Sequence, residues 1–153
     1  MKRLIVLAAL GALAGCSTSY RAPILGLGGG YTDHKINQDT WEVTFGTNAY
    51  TARGYALNAA LYRSAELAHR AGFPYFQIVR SSLVVGYFSV GYGYAPAVGG
   101  HYGGEGVTFT IHGVQSRDAP LACENSKPEG CTTLATDEVL RQLEPVVRRK
   151  PQK

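Results

Sequence analysis

Two cysteines and four histidines are the side chains most able to hold a metal or a redox bond in the body of this 153-residue chain. Cys123 and Cys131 enclose seven residues, "ENSKPEG". Zinc ligands usually come two to four residues apart, with further Cys or His partners close by. Here the spacing is longer and no histidine is adjacent, so the pair reads as a disulfide closing a small loop, with Lys127-Pro128-Glu129-Gly130 as its turn. Such a closure constrains the unfolded chain by about 2–3 kcal/mol. Of His34, His69, His101 and His112, only His101 with Glu105, and His112 at the same end of the domain, offer a metal-like grouping. A glycine-rich stretch surrounds His101 and holds no preformed geometry, so no metal and no cofactor are expected. The sequence contains no G-x-S-x-G elbow, no S-x-x-K and no H-E-x-x-H. No enzyme is expected.

Binding chemistry is better represented. Arg63, Glu66 and Arg70 fall three and four residues apart, the densest charge cluster on what reads as a helix. They form either a recognition surface for a partner or a solvated face with ordinary ion pairs. Tyr87, Tyr92, Tyr94 and Tyr102 stand among eight glycines between residues 86 and 106. Tyrosine gives a flat apolar ring with a polar tip, which suits glycan or protein recognition. A plain flexible hairpin tip is the alternative. The run of glycines at 26–30 has neither the spacing nor the flanking strand and helix of a phosphate-binding loop.

The third cysteine, Cys16, carries a different chemistry. Lys2 and Arg3 precede an uncharged apolar run over residues 4–14. That run is too short for a membrane-spanning helix, which takes about 20 apolar residues, but it fits the core of a secretory signal. The signal ends in Leu13-Ala14-Gly15-Cys16, which resembles a bacterial lipobox. The resemblance implies removal of residues 1–15 and acylation of Cys16, whose chains would hold the protein on membrane lipid. One chain binds only marginally and two or more anchor stably. Ser17 stands where an aspartate would retain such a protein in the inner membrane, so the expected location is the outer membrane, facing the periplasm. That compartment is oxidising, as the cysteine pair requires.

Charge narrows the partners. Without Lys2 and Arg3 the 15 Lys and Arg fall to 13, against 11 Asp and Glu. Four of those 13 (Arg148, Arg149, Lys150 and Lys153) lie in the tail, leaving 9 against 11 elsewhere. The pI near 9.0 therefore belongs to the chain ends, which argues against a nucleic-acid partner. An envelope protein or peptidoglycan is the expected partner, the latter through the Gly/Tyr loop and basic tail.

These residues need elements to position them. Residues 16–30 read as a flexible tether, residues 31–147 as one domain, and 148–153 as a basic tail. In "TWEVTFG", Trp41, Val43 and Phe45 alternate with polar neighbours, as in a half-buried strand. Residues 51–72 repeat at helical spacing through Leu57, Ala60, Leu61, Ser64, Ala68 and Ala71, with Thr51 as N-cap and Gly72 as stop. "YFQIV" is a second strand, residues 83–90 continue or pair with it, and "VTFTIHG" is the clearest strand of all. "TDEVLRQLEPVV" forms a closing helix capped by Thr136. The order β-α-β-β-α predicts an α+β fold, with a mostly antiparallel sheet of three to four strands and two helices on one face.

The segment from Thr51 to Val79 joins a helix bearing R-S-A-E-L to a strand beginning G-F-P-Y-F. With the lipobox, the insert and the closing strand and helix, it resembles a family of small, uncharacterised Gram-negative lipoproteins. The resemblance implies fold and location and carries no activity. The cysteine pair and the Gly/Tyr insert depart from the family pattern.

Overall fold

A computed structural model describes residues 18–22, 29–85, 104–123 and 131–148. Alternation of apolar and polar residues makes strands of β2 (Thr40–Gly46) and β4 (Glu105–Val114), and these pair antiparallel at the centre of the sheet. Val43 faces Phe109 and Phe45 faces Val107, so one side of both strands is apolar throughout. β1 (Gly30–Lys35) adds to β2, β3 (Tyr75–Val85) adds to the far side of β4, and β5 (Thr132–Ala135) closes the edge beyond β3. All pairings are antiparallel, in the order β1-β2-β4-β3-β5.

The α+β class and the antiparallel sheet therefore hold, with five strands among the described residues instead of three to four. β1 and β5 are the additions. β1 carries Tyr31, Asp33 and Lys35 on its inward register positions, so it lacks the apolar alternation that marks a strand. β5 has only four residues. Residues 83–85 continue β3 directly, while 86–90 lie outside the described residues.

α1 (Tyr55–Arg70) crosses from β2 to β3 and packs on β2 and β4; α2 (Thr136–Val147) packs on α1 and β5. Alanines at 56, 59, 60, 65 and 68 are all fully buried, which lets α1 approach the sheet closely. Ala60, Ser64 and Ala68 of the expected stripe are buried, but its two ends are not: Leu57 is 44% exposed and Ala71 is exposed, while Tyr62 and Arg63 are buried instead. Thr51 does not cap α1. The helix begins three residues later, after a left-handed Gly54, and the Thr51 hydroxyl instead donates to Asn48 Oδ1. Gly72 does stop it: φ is 80°, Gly72 N–H donates to the His69 carbonyl and Phe73 N–H to that of Ala68, a Schellman closure. Thr136 likewise does not cap α2. Its hydroxyl donates to the Phe73 carbonyl and its N–H to that of Pro74, strapping α2 to the α1–β3 junction.

Residues 18–22, expected as tether, are docked. Thr18 is 2% exposed. Its N–H donates to the Thr51 hydroxyl, and its own hydroxyl accepts from Asn48 N–H. Tyr20 lies between Tyr31, Phe45 and Tyr62.

Candidate functional site

The outer side of the sheet is where binding chemistry is open to solvent. Three rows of polar positions cross it. Thr32, Thr44, Thr108 and Ser82 form one; His34, Glu42, Thr110 and Arg80 the next; Thr40, His112, Gln77 and Thr133 the third. Neighbouring strands lie about 4.8 Å apart, so Glu42 and Arg80 stand about 10 Å apart across Thr110, with a carboxylate at one side and a guanidinium at the other. Hydroxyls in the two flanking rows are already ordered: Thr44 and Thr108 share a 2.9 Å hydrogen bond, and Thr40 Oγ1 lies 3.1 Å from His112 Nδ1. Asp39 Oδ1 is 3.3 Å from the same nitrogen.

Two features turn this face into a groove of about 520 Å³, lined by Ile36, Thr40, Glu42, Val79, Arg80, Thr110 and Ala122. The first is a bulge in β3. The register with β4 skips Val79 between Ile78 and Arg80, so two successive residues line the groove. The second is a wall formed by the chain after β4. Gln77, fully buried, donates from Nε2 to the carbonyls of Ala119 (3.3 Å) and Pro120 (3.2 Å), and its Oε1 accepts from Ala122 N–H at 2.9 Å. One side-chain amide thus satisfies three backbone groups, a task that neither an aliphatic nor an acidic side chain performs. Cys123 follows at once and is bonded to Cys131, with Cα atoms 6.2 Å apart. The expected disulfide is present and sits at the base of this wall.

The charge cluster on α1 is placed otherwise than a solvated face. Arg63 is 7% exposed. Its Nη2 lies 2.8 Å from Asp33 Oδ1 on β1, its Nη1 2.9 Å from Glu66 Oε2, and its guanidinium covers the Tyr31 ring at 4.3 Å. Glu66 also accepts from the Tyr20 hydroxyl at 2.5 Å and from Arg148 Nη2 at 3.3 Å. Burial alone would raise the Glu66 carboxyl, but the hydrogen bonds from Tyr20 and Arg63 and the Arg63 charge hold it below the usual range. Burial would lower Arg63, and its two carboxylate partners outweigh that and raise it. Tyr20 is pushed well above the ordinary phenol value, first by burial and then by its bond to Glu66. Arg70, in the last turn, stays exposed and only adds its charge to the field at Glu66. Arg63 and Glu66 therefore form a joint between α1, β1, the N-terminal segment and the end of α2.

Glu105 starts β4 and His112 lies seven residues along it, so the structure does not bring them together, and the Glu105 carboxylate accepts from Gly54 N–H. Among the described residues no group of three His, Cys, Asp or Glu could hold a metal ion. Cys16, His101 and the tyrosines at 87, 92, 94 and 102 lie outside the described residues. Glu42, Thr110 and Arg80 were not singled out from sequence. The polar phase of β2 and β4 was readable there, but the bulge at Val79 and the pairing that aligns Arg80 with Glu42 were not. No family model matches the chain, and neither does any curated protein or solved structure.

Proposed function

We propose that the chain is an outer-membrane-anchored periplasmic lipoprotein of non-enzymatic type, whose domain binds an envelope protein through the outer face of its sheet. The observation that carries the anchoring is Leu13-Ala14-Gly15-Cys16 at the end of an uncharged run, with Ser17 next. The likeness of the helix–strand junction to small Gram-negative lipoproteins supports the same reading. The groove supports a peptide partner. Glu42 and Arg80 match the opposite charges of a polypeptide, and the hydroxyl floor offers donors and acceptors to a backbone. Among the described residues, those lining it include no aromatic ring on which a sugar could stack.

The test has two arms. Cys16→Ser is expected to move the protein from the membrane to the soluble fraction; retention in the membrane would overturn the anchoring. A photo-crosslinking residue at Thr110 is expected to capture one dominant envelope protein in intact cells. Capture of peptidoglycan fragments instead would favour the glycan-binding alternative and return attention to the Gly/Tyr segment and basic tail.

A further inference from the structure

The docking of residues 18–22 has a geometric consequence for the whole domain. Cys16 is two residues from Thr18, so their Cα atoms are at most about 7 Å apart. The headgroup layer of one leaflet is itself only about 5–7 Å thick. Thr18 is fixed to a particular end of the fold, beside Thr51 and Asn48, with Gly29 against it. Any lipid on Cys16 must therefore reach the bilayer from that end.

The same end carries a surface suited to it. Tyr50 is 60% exposed, Leu57 44% and Leu83 63%, and Arg21 and Arg53 are exposed beside them. Two carboxylates of the described residues toward this end have partners: Glu105 accepts from Gly54 N–H, and Glu144 lies 3.7 Å from Arg148 Nε. α2 finishes at this end too, and Arg149, Lys150 and Lys153 follow within five residues of Arg148. At the opposite end Asp39, Asp118, Asp137 and Glu138, where β2 and α2 begin and beyond the end of β4, stand among Lys35, Arg70 and Arg117, so that end offers mixed charge and no excess of cations. Cations attract anionic lipid headgroups, and tyrosine favours the membrane–water boundary.

We infer that the end of the domain formed by Thr18, the Asn48–Thr51 turn and the start of α1 lies directly on the anionic headgroups of the membrane that holds Cys16. This rests on the lipoprotein reading. The domain stands on the bilayer with α1 rising from it, and the far end is held about 24 Å higher, the length of α1.

The test uses the full-length protein purified from membranes and reconstituted in phosphatidylethanolamine/phosphatidylglycerol vesicles that carry a headgroup-attached quencher. A fluorophore is placed at Ala49→Cys or at Gln38→Cys, both exposed and at opposite ends. Several-fold stronger quenching at position 49 than at 38 is expected. An insert of about twelve Gly and Ser residues between Ser17 and Thr18, adding about 20 Å of reach, should erase most of that difference. Equal quenching at the two positions in protein that floats with the vesicles would overturn the inference and leave the lipoprotein reading intact. An unlipidated Cys16 and no flotation would overturn both.

Discussion

β2 and β4 present two faces built from the same few residues, and the faces obey different physics. Inward, Trp41, Val43, Phe45, Val107, Phe109 and Ile111 are at most 5% exposed and leave no room for change. Outward, Thr40, Glu42, Thr44, Thr108, Thr110 and His112 keep contact with water and bond mainly to one another. The inner face also contains charge, but only where partners converge: Arg63 is enclosed by Asp33, Glu66 and the Tyr31 ring. A side chain on one face is thus constrained by packing, and on the other by water and by the hydroxyls beside it.

Substitutions on each face would break this contrast if it is wrong. Phe45→Ala, in the fully buried row, is expected to cost about 3–5 kcal/mol in denaturant unfolding. A loss below 1 kcal/mol would mean that the inner face tolerates cavities. Arg63→Met should cost about 3 kcal/mol, because it leaves the Asp33 and Glu66 carboxylates facing each other without their cation. An unchanged midpoint would return Arg63 to the status of a solvated surface cation. Tyr20→Phe is expected to cost about 1.5 kcal/mol, the worth of a hydrogen bond to a carboxylate. It should also change the pH profile in a stated direction. The Tyr20 phenol is raised in the folded state, so its contribution is complete below the ordinary tyrosine value of about 10 and is lost as pH rises beyond it. Thermal melts across that interval should fall more steeply for the wild type than for Tyr20→Phe. Glu42→Gln, on the outer face, should change stability by less than about 0.5 kcal/mol yet reduce partner capture at the groove. A large stability loss there would erase the distinction between the faces.

Legibility in the sequence followed this same division. β2, β4 and both helices declare themselves because one side of each is apolar at the period of its backbone. β1 does not, because Asp33 points inward to a guanidinium 30 residues away, a pairing that no local pattern encodes. Thr51 and Thr136 sit where caps are common, yet each hydroxyl serves a contact from outside the helix it precedes or begins. The disulfide was readable from spacing, whereas the buried amide of Gln77 that holds the same excursion looks in sequence like any polar residue of a strand. The charge cluster is legible by its density, whereas its burial depends on β1 and Tyr20, which no local pattern marks.

The hydrogen bonds of Thr18 and Tyr20 also define a load path. Tension applied at the N-terminal side meets Thr18 first, then the Tyr20 phenol and the Arg21 carbonyl, which accepts from Tyr31 N–H, and only afterwards the ladder between β1 and β2. Those early contacts are few and can be broken one after another, while the six-residue ladder resists as a unit. A steady pull would therefore peel residues 18–22 from the domain before unfolding its sheet, releasing about 17 Å of chain. On that ordering of contacts the docked segment would give way first, as a mechanical fuse that spares the sheet.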